Sequence, residues 1–327
     1  MNTNTLSIIS KSKDPAFNLA TEEYLLRKKN ENVHFFYINI PSVIIGKHQN
    51  ALAEINLNYL EREKIPLFRR LSGGGTVYHD EGNINFCFIK NGESNDLVNF
   101  KKATDPIVTV LNDWGIPVRH GVRNDLLIDY KKISGNACHV FKRRVMHHGT
   151  LLFNSNLEHL TFSLKSDPGK FRDKAVKSVR SEVMNVSDIY NEAIKASDFL
   201  NKLESQIRFN NSNIVLYDLS SDEIDEINKL KNEKYGTTEW NYSYGPAYEF
   251  SKRVRLKKAV FSVKMKVEKG KIRDLQIRST KENEKLCKMI TKNLIEVYHQ
   301  KEAINHALTP HLYNTEFEVS EITDLFF

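Results

Sequence analysis

The residue types best suited to chemistry in this chain lie together in one stretch, Arg69-Arg70-Leu71-Ser72-Gly73-Gly74-Gly75-Thr76-Val77-Tyr78-His79-Asp80. Phe68 and the two arginines read as the end of a strand. Three consecutive glycines then strip every Cβ from a tight turn, and Thr76-Val77-Tyr78 resumes β-rich sequence. Such a turn lets backbone N–H groups approach a phosphate or carboxylate, and Arg69 and Arg70 can add bidentate charge-assisted bonds to the same anion. The stretch also fits a plain hairpin turn with surface arginines. It is not a P-loop, because no Lys-Ser/Thr pair follows Gly75.

Further along, Arg123-Asn124-Asp125 precedes a strand (126–128), a turn (129–131) and a return strand that begins at Lys132. A partly buried lysine beside an anion site can hold a phosphate and a carboxylate together, although a surface lysine such as Lys131 is usually just solvated. Arginines, a glycine turn, an Asn-Asp pair and a lysine suit a negatively charged nucleotide. They would stabilise charge developing on a phosphoryl centre rather than supply a nucleophile. His147 and His148 are adjacent on a predicted strand, so they face opposite ways and cannot share one metal. A Ser-His-Asp set is not evident in the chain order, and one assembled in space stays open.

The elements that must position these residues follow from periodicity and punctuation. Residues 5–10 alternate as an edge strand, and Asp14-Pro15 reads as an N-cap with proline at the first helical position. Phe17, Ala20, Tyr24 and Leu25 share one face of that helix. Strands follow at 33–38 and 42–45, then a polar loop at Gly46-Lys47-His48-Gln49-Asn50 and a helix at 58–64. In 83–89, Ile84, Phe86 and Phe88 fall on one face, opposite Asn83, Asn85 and Cys87. Apolar residues from Leu97 to Trp114 recur at helical spacing; Pro106 sets the start near Asp105, and Gly115 stops the helix. Residues 171–185 read as a mobile surface segment, 187–207 as an amphipathic helix, and Ser220 or Ser221 as the N-cap of another. The aromatic, turn-prone segment 237–246 marks a domain boundary. Beyond it lie strands at 257–267 and 272–277 and a helix over 282–299.

A chain of 327 residues predicts one large domain plus a small one. Three scattered cysteines (Cys87, Cys138, Cys287) build neither a disulfide framework nor a zinc site, which points to a reducing cytoplasm. No apolar run reaches the length of a bilayer span. The net charge of +7 invites nucleic acid, but the basic residues are spread, with clumps only at Lys142-Arg143-Arg144 and Lys252-Arg253-Val254-Arg255. No nucleic-acid or membrane partner is expected.

Three ordered blocks resemble the lipoate–protein ligase family. They are R-R-x-S-G-G-G-x-V-x-H-D at 69–80, Arg123-Asn124-Asp125-Leu126-Leu127 with Lys132-Ile133-Ser134-Gly135-Asn136-Ala137, and His147-His148-Gly149-Thr150. Ser178-Val179-Arg180-Ser181 is similar to a fourth element, and the resemblance covers nearly the whole chain. It implies an α/β (α+β) fold, the mixed-sheet catalytic domain shared by biotin and lipoate ligases over residues 1–244, and a small α+β accessory domain over 245–327. It implies activation of lipoate, or octanoate, by ATP and Mg²⁺ to an acyl-adenylate. The acyl group would then pass to a lysine of apo lipoyl domains, on the E2 subunits of 2-oxoacid dehydrogenases and the glycine cleavage H protein. Lys132 would be catalytic. Arg70, Gly75, Thr76, Val77, Tyr78 and Lys132 would bind ATP, and Lys132, Gly73, Gly74, His79 and His148 lipoate. Asn124 and Asp125 would orient the nucleotide or its Mg²⁺, without a dedicated protein metal site. Val77, Phe35 and Leu71 are candidates for the acyl tunnel. Two alternatives stand beside this: an octanoyl- or lipoyltransferase with a cysteine nucleophile, for which Pro117-Val118-Arg119-His120-Gly121-Val122 offers no cysteine, and a non-catalytic basic binding module.

Overall fold

The computed structural model describes residues 4–92, 98–313 and 315–327. Its scaffold is a mixed sheet of six strands in the order Asn136–Phe141, Arg144–Leu152, Asn83–Asn91, Asn32–Ile38, Thr5–Ile9 and Ile214–Leu216. Thr5–Ile9 runs parallel to both of its neighbours, and the remaining pairs are antiparallel. The first strand is therefore not an edge: Ile214–Leu216, a three-residue strand too short to show a pattern, covers it.

The central strand Asn83–Asn91 shows why two faces had to be apolar. Ile84, Phe86 and Phe88 join the core beneath helices Phe100–Asp113 and Ala196–Phe209. Cys87 and Ile89 join the core beneath helix Pro15–Lys28. The face carrying Asn83 and Asn85 is thus buried too, which its alternation did not reveal. Helix Pro15–Lys28 starts as expected, with the Asp14 carboxylate accepting from Ala16 N.

Two helix starts and one helix end differ from expectation. Asn99 accepts from Lys102 N and starts its helix at Phe100, and Pro106 sits inside that helix rather than before it. Asp96 and Leu97, part of that expectation, lie outside the described residues. The helix expected over 187–207 begins only at Ala196. The one expected over 282–299 ends at Leu294, and a separate helix, Lys301–Leu312, follows.

Two smaller sheets carry the chemistry. In one, Ser42–Ile45 lies between Leu67–Arg69 (parallel) and Val77–His79 (antiparallel), so the glycine stretch is a crossover and not a hairpin turn. In the other, Leu126–Ile128 pairs with Lys131–Ser134 across a turn in which Asp129 and Tyr130 both adopt positive φ. A four-stranded sheet, Phe171–Asp173, Tyr248–Leu256, Ala259–Glu268 and Lys271–Arg278, packs on the C-terminal helices around Phe250, Phe261, Ile290 and Leu308. Tyr248–Leu256 was missed because Lys252 interrupts its inward-facing run and its outward Ser and Arg residues hide the apolar period. Phe171–Asp173 belongs to the 171–185 segment, which is pinned rather than loose: Phe171 pairs with Phe250 and packs on its ring.

Candidate active site

Both chemistry-bearing sheets open onto one cavity of 480 Å³. Its wall includes Arg70, the triple glycine, Thr76, Val77, His79, Asn124, Asp125, Lys132 and His148. A second cavity of 430 Å³ lies alongside, lined by Thr76, Val77, Tyr78, Lys132, Leu160 and Leu164 among others. Thr76, Val77, Lys132 and Gly135 belong to both walls, so the two spaces meet at the lysine. Tyr78, expected at the nucleotide, is off the first cavity; its ring is buried and stacks near His159. Of the three tunnel candidates, Val77 lines both cavities. Phe35 and Leu71 do not, being buried in the core beneath helix Pro15–Lys28. The apolar wall of the first cavity is built instead by Leu19, Ile44, Phe100 and Ala137, with Cys138 at its side.

The arginines act differently from their expected role as a pair of anion ligands. Arg69 is fully buried and donates to five backbone carbonyls: Gly46, Lys47, Gln49, Trp240 and Asn241. Every such bond is internal, so Arg69 holds the 46–49 loop to the 240–241 segment and offers nothing to a ligand. Arg70 donates to the Ile44, Gly73 and Gly75 carbonyls and to Ser72 Oγ, bracing the glycine loop from behind while lining the cavity. Burial pulls both guanidinium pKa values down to about 10, which leaves them charged at neutral pH. The loop needs its glycines: Gly74 has φ of +86°, and a Cβ on Gly46 would lie 2.2 Å from Gly74 O.

A buried relay that the sequence did not announce supports Arg70. His148 Nδ1 meets Glu22 Oε2 at 2.8 Å, and because a carboxylate only accepts, this nitrogen carries the proton. His148 Nε2 lies 2.6 Å from Ser72 Oγ, and Tyr37 Oη donates to Glu22 Oε1 at 3.0 Å. Ser72, His148 and Glu22 thus form a Ser-His-carboxylate row. It is not a nucleophilic triad, since Ser72 is buried off the cavity wall with Arg70 Nε donating to it. His79 is held by Asn39, and burial, then the charge of Arg70, lowers its pKa to about 3. His147 points the other way, edge-on to Phe100, and burial lowers its pKa to about 4.

Lys132 Nζ sits 3.2 Å from Asp125, and its side chain is 25% exposed, reachable from both cavities. A Cβ on Gly135 would approach Lys132 Cε and Nζ to 3.1 Å, so Gly135 leaves room for the ammonium. The rim across from it is the 174–181 loop. Ser178 Oγ accepts from Thr76 N and from Gln49 Nε2, and Gln49 Oε1 accepts from Gly46 N and Thr76 Oγ1. These bonds lock three loops together. Among the described residues no group of three or more His, Cys, Asp or Glu side chains could hold a metal ion by itself. Cys138 is half-buried and burial raises its thiol pKa, the reverse of what a nucleophilic thiolate requires.

The family descriptions that match are "Lipoyl protein ligase A/B catalytic domain" over residues 14–208 and "Bacterial lipoate protein ligase C-terminus" over 245–326. The chain is 40% identical over 266 residues to lipoate–protein ligase 1 of Staphylococcus aureus, covering 81% of each chain. Its fold matches the bi-partite lipoate protein ligase studied with its E2 lipoyl domain from Thermoplasma acidophilum. That match has a TM-score of 0.62 at 30% identity and covers 74% of this chain and 96% of that one. A lipoate-protein ligase A structure bound with ATP matches with a TM-score of 0.62 at 27% identity, covering 74% and 99%.

Proposed function

Because this chain belongs to the lipoate–protein ligase family, we propose that it works as an ATP-dependent ligase in which Lys132 joins two substrates lying in the two adjoining cavities. The observation that carries this reading is that both cavities share Lys132, Thr76, Val77 and Gly135. The first cavity, with Leu19, Ile44 and Phe100 on its wall, suits an acyl chain that brings its carboxylate to the lysine. The neighbouring one, with Tyr78, Leu160 and Leu164, suits the nucleotide. Activation then follows from electrostatics. A carboxylate oxygen of lipoate attacks the α-phosphorus of ATP, the bond to pyrophosphate breaks, and lipoyl-AMP remains. Two anions must meet for this to happen, and the Lys132 ammonium lowers that repulsion. In the second step the neutral ε-amine of an acceptor lysine attacks the acyl carbonyl, AMP leaves, and the amine's proton passes to solvent.

The other residues have supporting work. The Gly73-Gly74-Gly75 backbone approaches the substrates closely, with Arg70 bracing it, and His79 and His148 shape the acyl end. Asn124, on the wall of the first cavity, would orient the nucleotide where its phosphates reach Lys132, and it adopts φ of +62°. Asp125 holds Lys132 and is the carboxylate on the first wall that could meet a Mg²⁺ ion, which would supply counter-charge to the nucleotide's phosphates. The acceptors are E2 lipoyl domains, and the glycine cleavage H protein is included in the same reading. Catalytic residues 1–244 and accessory residues 245–327 form its two units, working in the cytoplasm on lipoate and on octanoate. The test is pyrophosphate release with lipoate, ATP and Mg²⁺ and no acceptor. One burst per enzyme, retained as bound lipoyl-AMP, is expected. No ATP consumption alongside acyl transfer from a thioester would overturn it in favour of a transferase.

A further inference from the structure

Positive charge in this chain is not spread evenly. Residues 248–278 hold eleven lysines and arginines against three acids, a net of +8, more than the +7 of the whole chain. Residues 279–327, which follow, carry eight acids against five lysines, so the charge belongs to the sheet. Strand alternation sends five of the eleven cations to one face of that sheet. Phe250, Phe261, Val263 and Met265 point into the core, and Arg253, Arg255, Lys264, Lys266 and Arg278 are exposed on the other side. Register brings them together: Arg253 and Arg278 both face Ser262, and Lys264 lies one pair along. Arg172, on the edge strand, lies directly opposite Glu249 at the other end of the face. Glu249 and Asp274 flank Lys266 at that end, and the half bearing Arg253, Arg255, Lys264 and Arg278 has no acid opposite it. Among the described residues none of the six cations is in an ion pair. Among Arg253, Arg255, Lys264 and Arg278 like charges this close repel one another, and no ion pair among the described residues offsets that repulsion.

The same sheet reaches the active site. Its edge strand, Phe171–Asp173, runs straight into the 174–181 loop that rims both cavities through Lys177, Ser178 and Val179. We infer that the outer face of this sheet is the docking surface for the acceptor protein, which meets it with an acidic patch and so is steered toward the loop where its lysine must arrive. This inference rests on the ligase reading and names the surface that the reading leaves open. A nucleic acid fits the face less well. Of the large apolar side chains on these strands only Val260 is exposed, so no aromatic ring is offered to stack on bases. A second copy of the chain would bring like charge to like.

The test uses the full chain with Arg253→Glu, Arg255→Glu and Lys264→Glu combined, and the corresponding triple glutamine variant. The probe is an apo lipoyl domain of an E2 subunit. For the wild type, kcat/KM for the acceptor should fall as NaCl is raised from 20 to 300 mM, about tenfold for several opposed charges. The glutamate variant should be at least tenfold worse at low salt through KM, with the salt slope flattened, and the glutamine variant should lie between. Pyrophosphate release without acceptor should stay within about twofold of wild type, which shows an intact fold and an intact first step. Unchanged acceptor KM and salt slope in a variant with normal pyrophosphate release would overturn the inference. So would loss of binding to a labelled single-stranded oligonucleotide with acceptor kinetics unchanged, which would assign the face to nucleic acid. Absence of pyrophosphate release in the wild type would instead sink the ligase reading itself.

Discussion

Glu22 carries the most demanding structural prediction. Its side chain is 2% exposed and accepts from His148 Nδ1 and from Tyr37 Oη, and His148 in turn fixes Ser72 beside Arg70. Glu22→Ala leaves two buried donors unpaired, each worth about 1–3 kcal/mol, and removes the nearest negative charge from a buried arginine. Breaking one partner of such a set typically costs about 3–5 kcal/mol, so about 4 kcal/mol is expected. At roughly 2–4 °C per kcal/mol for a unit of this size, the melting temperature of the catalytic unit should fall by roughly 8–16 °C. Glu22→Gln keeps the shape and one acceptor, and should lose about half as much. The assay is thermal unfolding by circular dichroism at pH 7, with adenylate formation measured below the melting point. Both variants should form adenylate more slowly than wild type, because the carbonyls of Gly73 and Gly75 depend on a correctly placed Arg70. A Glu22→Ala protein that melts within about 2 °C of wild type would refute the relay as a support of the glycine loop.

Other predictions follow from the same geometry. Lys132→Ala should slow lipoyl-adenylate formation by about 10²–10³, the usual loss for one preorganised charge at a developing anion, with stability changed by less than about 1 kcal/mol because the pair with Asp125 is partly exposed; single-turnover formation of radiolabelled adenylate checks it. Replacing Cys87, Cys138 and Cys287 together by serine should keep most ATP-dependent activity in a protein shown to be folded, and a trapped acyl-thioester on the wild type would count against adenylation. His147 and His299 are buried with pKa values lowered to about 4, and His34 and His79 to about 3. The unfolded chain therefore binds protons below about 6.5 that the native state refuses, and stability should fall steadily from pH 6.5 toward 4 by about 1.4 kcal/mol per pH unit for each such histidine. Urea midpoints that stay level from pH 6.5 to 4.5 would contradict this.

How much of this was legible in the sequence depended on the kind of signal. Asp14-Pro15 and Ser220 announced their helices because capping is local chemistry, and both caps are made as expected. Three motif blocks fix Lys132, the glycines, His79 and His148 in order along the chain, and the fold brings them to the wall of one cavity. Arg69 was misassigned because a guanidinium looks the same in sequence whether its five donors meet an anion or five carbonyls. Glu22 was missed because its meaning depends on His148, 126 residues away. Pro106 misplaced a helix start because the Asn99 cap and the buried face of Ala103, Ile107 and Val110 outweigh one lost backbone bond. The strand Tyr248–Leu256 was hidden by its own cationic outer face.

The central claim is that one chain activates lipoate with ATP and then hands it to a protein lysine. The most direct measurement incubates the purified chain with lipoate, ATP, Mg²⁺ and an apo lipoyl domain, then weighs the acceptor and counts AMP. The account predicts one lipoyl group on one lysine, one AMP per group transferred, none of either when ATP is omitted, and formation of both slowed by about 10²–10³ when Lys132 is alanine. A modified acceptor in the absence of ATP, or ATP turned over with an acceptor of unchanged mass, would contradict it.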